Sequence, residues 1–209
     1  GVKARIPNPD GTPKPGRKVI FMAGGAGSGK GNVISKLGLK EAGYKIVNSD
    51  ISLEWLKKNH GLPENQTDYT AEQRSQLSKL SAEARRIAKR IQGKGGGVVV
   101  DGTGGSIKSM EKLVNEFKDK GYDVSMVFVE TSLEVAQDRN KKRKSRSLRE
   151  GILNKNHEQV QGNKDAFKDM FKGNFNEVST DKIGLNDALP NNFKSKVDDF
   201  TNSYENRRL

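Results

Sequence analysis

The sequence predicts a three-layer α/β fold in which a parallel sheet is flanked on both faces by helices. Three observations carry that expectation. Short apolar runs recur at 19–23, 44–48, 98–101 and 124–129, each of the kind that forms a strand buried on both faces. Segments with apolar residues three and four apart lie between them, and strand alternating with helix is the pattern of βαβ units. The apolar fraction is only 32%, yet it is concentrated in these runs, as in a folded chain rather than a disordered one.

Residues 1–16 hold Pro7, Pro9, Pro13 and Pro15 with Gly11 and Gly16, a composition that sustains neither a helix nor a central strand. They are expected as a flexible tail ahead of a single domain over 17–209. Val19-Ile20-Phe21-Met22-Ala23 is the first strand. A glycine-rich loop follows it and leads into a helix over about 30–41. Tyr44 to Asn48 is a weaker strand before a helix over 51–59. The segment 70–92 opens with a Thr70-x-x-Gln73 capping box and keeps Leu77, Leu80, Ala84, Ile87 and Ile91 on one face. Its Arg74, Arg85, Arg86 and Arg90 read first as a solvated face and second as a binding stripe. Val98-Val99-Val100-Asp101 is a β-branched strand, followed by a helix over 106–120 and the strand 124–129. Thr131-x-x-Glu134 caps a helix over 132–144. A polar helix over 151–172, a last strand near 175–180 and a helix after Pro190 complete the chain.

The 209 residues suffice for one domain with a real core. Lysine and arginine number 38 against 26 acidic residues, a net charge of +12, which points to anionic partners: nucleic acid, nucleotides or a small phosphorylated molecule. Cysteine is absent, excluding thiol catalysis and cysteine-based metal sites. His60 and His157 are the only histidines, too few for a histidine-based metal site or catalytic triad. No stretch reaches the roughly 18 apolar residues of a membrane span, and no hydrophobic signal segment opens the chain. The expected location is cytoplasmic, without membrane contact.

Gly24-Gly25-Ala26-Gly27-Ser28-Gly29-Lys30 matches G-x-x-x-x-G-K. In such a loop successive backbone N–H groups turn inward around a phosphate while the lysine reaches the β and γ phosphates. Its place between a buried strand and a helical pattern aims the positive end of the helix dipole at the same phosphates. Gly25 to Asn32 are therefore the expected nucleotide-binding residues (Gly25, Ala26, Gly27, Ser28, Gly29, Lys30, Gly31, Asn32), ATP the expected ligand and Mg²⁺ its companion. Gly31 stands where Ser or Thr usually offers a hydroxyl to the metal. Gly-Ser-Gly-Lys-Gly-Asn thus resembles the G-x-G-K-G-T loop of adenylate kinases, so the metal is expected on phosphates, waters and an acidic side chain elsewhere.

Two aspartates end strands, where the crevice of an open parallel sheet lies. Asp50 is expected as the base that positions and deprotonates an acceptor hydroxyl, and Asp101 as the metal-orienting carboxylate, with Thr103 accessory. The plainer reading makes Asp50 a helix cap and Asp101 a turn residue. Seven basic residues crowd 139–149. Arg139 and Arg146 are expected in a lid over the transferred phosphoryl group, with nucleic-acid binding or plain solvation as the other readings of the run.

These pieces resemble the zeta-toxin and polynucleotide-kinase branch of P-loop NTPases over about residues 18–150. The shared features are G-G-A-G-S-G-K, a strand followed by Asp50, V-V-V-D-G-T-G ending at Gly104, and Gly121-Tyr122 before the next strand. The resemblance implies a P-loop kinase in which Lys30 and Arg146 hold phosphates, Asp50 activates the acceptor and Arg139 is a lid arginine. It implies an alcohol acceptor, for zeta toxins the sugar 3′-hydroxyl of UDP-N-acetylglucosamine. Asp101 stands where zeta proteins tend to have Glu. The adenylate-kinase strand end D-G-F-P-R is absent, replaced by Asp101-Gly102-Thr103-Gly104. A polynucleotide 5′-hydroxyl kinase and a non-catalytic ATP- or nucleic-acid-binding protein are the alternatives. The resemblance also raises an antitoxin-like protein partner, to which no residue of the sequence points.

Overall fold

The computed structural model describes residues 15–143 and 147–203. Strands β1 (Lys18–Ala23), β2 (Lys45–Val47), β3 (Val98–Asp101), β4 (Asp123–Glu130) and β5 (Phe175–Ser179) form one parallel sheet in the order β2-β3-β1-β4-β5. β1 is central, with Phe21 level with Val100 on one side and Met126 on the other. The chain builds the β2 and β3 side first and then crosses β1 to build β4 and β5, which opens a crevice at the carboxyl end of β1.

The period-two alternation of the strands divides the core. Ile20, Met22, Val99, Val127 and Val129 pack on one face beneath α1 (Lys30–Lys36) and α8 (Asn191–Asn202), meeting Val33, Ile34, Phe193 and Val197. Val19, Phe21, Ala23, Met126 and Phe128 face the other way. There they meet Val114 and Phe117 of α4 (Ile107–Asp119), Val160 of α6 (Glu150–Gly162), and Phe167 and Phe171 of α7 (Lys164–Phe171). The Phe21 and Phe117 rings stand edge to face, centroids 5.6 Å apart. Such fully buried phenylalanines each stabilise the fold by about 1.5–3 kcal/mol relative to exposure.

Helices α2 (Ser49–Asn59) and α3 (Ala71–Gly93) form a hairpin between β2 and β3 with its own small cluster of Leu56, Leu62, Tyr69, Leu80 and Ala84. The predicted box caps α3: Thr70 N donates to Gln73 Oε1 at 2.9 Å and Gln73 N to Thr70 Oγ1 at 3.2 Å. A fifth helix segment in chain order, α5 (Leu133–Lys141), follows β4.

The elements differ from expectation mainly at their ends. The helix expected over 30–41 stops at Lys36, because Gly38 takes a left-handed conformation (φ 65°) and turns the chain. The helix expected over 132–144 ends at Lys141, where Lys142 closes its last turn. The polar helix expected over 151–172 is two helices, α6 and α7, parted at Asn163. Asn163 turns its side-chain amide to Gly104 O at 3.0 Å, tying the break to the loop after β3. At the N-terminal segment, Pro15 is buried and a Cβ on Gly97 would lie 2.6 Å from its Cγ. Residues 1–14 of the expected tail and Arg146 lie outside the described residues.

Candidate active site

The phosphate-binding loop leaves β1 at Ala23 and enters α1 at Lys30. Two of its glycines are required by the path. Gly29 caps α1 with φ 87° and Gly27 has φ 77°, both in the left-handed region; a Cβ on Gly27 would sit 2.7 Å from Ala136 O of α5. The first turn of α1 carries no acidic residue, so nothing offsets the positive end of its dipole. Ser28 Oγ is buried without a hydrogen-bond partner, an unmet demand that a phosphate oxygen satisfies.

Lys30 spans the loop it ends: its Nζ donates to Gly24 O at 2.8 Å. Burial holds its ammonium below the ordinary lysine range; Asp101 opposes that fall, Arg143 adds to it, and Asp50 opposes it more weakly. Lys30, Asp50, Asp101 and Arg143 thus share one electrostatic site, drawn from α1, α2, β3 and the segment just after α5.

Asn48, at the end of β2, joins the two aspartates. Its Oδ1 accepts from Asp50 N at 2.8 Å, as the cap of α2, and its Nδ2 donates to Asp101 Oδ2 at 2.7 Å. The orientation is forced, since a backbone N–H only donates and a carboxylate only accepts. The cap that sequence reasoning offered for Asp50 therefore belongs to Asn48, and the Asp50 side chain is exposed at the helix start. Asp101 Oδ1 is buried and has no hydrogen-bond partner. A carboxylate half held and half unsatisfied fits a hydrated Mg²⁺, which takes one or two carboxylates beside nucleotide phosphates. Among the described residues no three His, Asp or Glu side chains cluster as a metal cage, consistent with that thin donor set. Gly31 offers no hydroxyl, but the space beside it is open: a Cβ there meets no atom within 4 Å.

Arg139 occupies the loop from the carbonyl side. Nη1 donates to Gly27 O at 3.1 Å, Ser28 O at 3.2 Å and Thr180 Oγ1 at 2.9 Å, and Nη2 to Thr180 O at 2.7 Å. Thr180 Oγ1 donates in turn to Ser28 O, and Asp181 Oδ1 takes Thr131 Oγ1 and Ser132 N at 3.0 and 2.9 Å. The loop is thus braced against the ends of β4 and β5. α6 holds it from another side, where Ala26 N donates to Asn156 Oδ1 at 3.2 Å while His157 Nε2 meets Thr131 O at 2.8 Å.

Of the sequence-predicted residues, the structure brings Lys30, Asp50 and Asp101 together, sets Arg139 against loop carbonyls, and leaves Arg146 undescribed. Sequence reasoning missed Asn48, Asn156 and Thr180, polar residues without a spacing signal; Arg143, expected one helical turn after Arg139 and on the same side, lies beyond the end of α5.

The sequence profile of the AAA domain matches residues 19–170. The chain belongs to this AAA domain family. The match takes in the phosphate loop, both aspartates and Arg139 to Asn156. No curated protein matches the chain in sequence. Among solved structures, this AAA domain is similar to one in an AvrRxo1-ORF1:AvrRxo1-ORF2 crystal with sulphate (TM-score 0.63, 17% identity, 81% of this chain and 56% of that one). It is similar to one in the PezAT toxin–antitoxin system of Streptococcus pneumoniae (0.59, 15%, 81% and 72%). It is similar too to a gluconokinase from Sinorhizobium meliloti 1021 (0.50, 18%, 88% and 90%). At these identities the likeness is one of fold, a P-loop NTPase-like α/β domain, and the chain spans a little over half the length of the AvrRxo1 chain. No helix among the described residues is long and apolar enough to cross a membrane.

Proposed function

We propose that this AAA domain is an ATP- and Mg²⁺-dependent kinase that transfers the γ-phosphoryl group to a hydroxyl of a small molecule. The observation that carries the reading is Lys30, Asp50 at the start of α2 and Asp101 at the end of β3 in one electrostatic site, beside a loop whose Ser28 Oγ is buried without a partner. A P-loop neighbour crystallised with ATP and a gluconokinase neighbour support the same class.

Each residue has a task in this reading. The Gly25–Asn32 amides and Lys30 bind the phosphates, Asp101 orients Mg²⁺, and Asp50 takes the acceptor proton. Mg²⁺ bound there supplies charge neutralisation at the β and γ phosphates. Arg139 positions the loop from behind, and Arg143, just past α5, bears on Lys30 through its charge. Arg146 stays in the proposal as a lid arginine from the sequence resemblance.

The test is transfer from γ-labelled ATP to hydroxyl acceptors. Asp50→Asn is expected to lower transfer by on the order of 10²–10⁴-fold while ATP still binds. Full transfer by Asp50→Asn, together with intact ATP binding by Lys30→Ala, would overturn the reading.

A second reading, a polynucleotide 5′-hydroxyl end as acceptor, is favoured by one observation. Trp55, the only tryptophan, is 61% exposed on α2 beside the exposed Ile51, and α2 packs on α3 with its exposed Lys79, Arg85, Arg86, Lys89 and Arg90. A stacking side chain on the same hairpin as these cations suits a single strand. Steeply salt-dependent binding of a 5′-hydroxyl oligonucleotide, lost in Trp55→Ala, would favour it over the small acceptor.

A further inference from the structure

A cavity of about 420 Å³ lies at the carboxyl ends of β1 and β3, on the face covered by α4 and α6. Its polar lining comes from Thr103, Ser106 and Ser109 on the β3–α4 side and from Asn156 and Gln159 on α6, over an apolar floor that includes Met110. Both polar walls are tied to the phosphate loop, since Gly24 N donates to Thr103 O at 2.9 Å and Ala26 N to Asn156 Oδ1 at 3.2 Å. The cavity therefore adjoins the place where the loop would present a γ-phosphate.

Its chemistry differs from that of the rest of the molecule. Charged residues are 31% of the chain, yet no ionisable side chain lines this space. An anion placed there would meet no counter-charge from the lining. Hydroxyl groups would instead find three hydroxyl and two amide side chains able to donate and accept, with carbon-bound ring faces against the methionine floor. The volume lies at the low end of the roughly 300–1,000 Å³ of small-ligand pockets.

We infer that this cavity holds the acceptor, and that the acceptor is an uncharged polyhydroxyl molecule of about monosaccharide size. This rests on the kinase reading above and narrows its substrate class. In the reaction one acceptor hydroxyl, projecting from the cavity toward the phosphate loop, bonds through its oxygen to the γ-phosphorus, the bond from that phosphorus to the β,γ-bridging oxygen breaks, ADP departs, and the hydroxyl proton passes to the Asp50 carboxylate, which lies outside the cavity's lining.

Gly105 gives a clean perturbation. A Cβ there lies at ordinary contact distance, 3.6 Å from Thr103 Oγ1 and 3.9 Å from both Asn156 Nδ2 and Gln159 Oε1, so Gly105→Val adds methyl groups among the cavity's polar atoms without a backbone clash. Wild type and Gly105→Val are given γ-labelled ATP with an uncharged pool (D-glucose, N-acetyl-D-glucosamine, ribitol), a charged pool (D-gluconate, glucose 6-phosphate, UDP-N-acetylglucosamine) or a 5′-hydroxyl oligonucleotide. ATP affinity is measured alongside by calorimetry. The expected result is label in the uncharged pool, an acceptor KM raised at least about tenfold by Gly105→Val, and unchanged ATP affinity. Label only in the charged pool or the oligonucleotide, no label despite ATP binding, or an unmoved KM in Gly105→Val overturns the inference and leaves nucleotide binding standing. Failure of the wild type to bind ATP removes the kinase reading, and the inference with it.

Discussion

Asn48 Nδ2 donates to Asp101 Oδ2 at 2.7 Å, and the same side chain caps α2 by accepting from Asp50 N at 2.8 Å. One amide therefore sets both the carboxylate at the end of β3 and the helix start that carries the second carboxylate. Asn48→Asp keeps the cap, because a carboxylate also accepts from Asp50 N, but it replaces a donor to Asp101 with a like charge. Transfer is expected to fall by about 10–100-fold, the usual scale for groups that orient a ligand-bearing side chain, with little change in thermal midpoint. Steady-state kinetics and a melting curve on the same preparation check both halves.

Arg139, on α5, and Arg143, just past its end, are expected to fail differently. Arg139→Met strips donors from Gly27 O, Ser28 O and Thr180. Leaving such acceptors unsatisfied costs about 1–3 kcal/mol each when buried, and a chain of this size loses roughly 2–4 °C per kcal/mol. The thermal midpoint and ATP affinity should drop together. Arg143 is exposed and acts on Lys30 through charge; Arg143→Ala should relieve the depression of the Lys30 pKa and slow transfer. Differential scanning fluorimetry reads the first and single-turnover transfer the second.

Gly31→Ser tests the metal assignment by addition. The space around its Cβ is open, and replacing a helical glycine stabilises by roughly 0.5–1 kcal/mol. A serine there offers a hydroxyl to Mg²⁺, so the Mg²⁺ concentration for half-maximal transfer should fall, whereas Gly31→Ala should gain the stability alone. Equal Mg²⁺ dependence in both variants would count against a metal beside Gly31 and Asp101.

The lowered pKa of Lys30 gives a signed pH prediction. Burial, aided by Arg143, pushes the free ammonium below the ordinary lysine range, and an ATP polyphosphate beside it would pull it up. Below the lowered pKa the amine is protonated in both states and no proton moves. Between the lowered and the restored value, binding must take up a proton, so ATP affinity should decline with rising pH through that alkaline window. Calorimetry in buffers of different ionisation enthalpy reads the uptake, and Lys30→Arg, charged throughout, should abolish it.

The sheet and its site were legible to different depths. Val19 to Ala23 and Val98 to Val100 announce buried strands because their apolar runs are short, β-branched and flanked by glycine or turn residues, and the loop between Ala23 and Lys30 follows from composition and context. The break at Asn163 had a local cue in Gly162-Asn163, and the bond from Asn163 to Gly104 O anchors it. Arg139 has the composition of a phosphate clamp, and only the tertiary approach of Thr180, 41 residues away in sequence, turns it toward the loop carbonyls. Asn48 was invisible as a bridge because its second partner, Asp101, is 53 residues distant.

The central claim, an ATP-binding loop that feeds phosphoryl transfer, is tested most directly by calorimetric titration of Mg·ATP into wild type and Lys30→Ala. The account predicts one site per chain in the wild type and an affinity lowered by at least about tenfold in the variant, the loss of a charge-assisted contact of about 1.5–3 kcal/mol. Equal affinity in the two proteins, or none in the wild type, would contradict it.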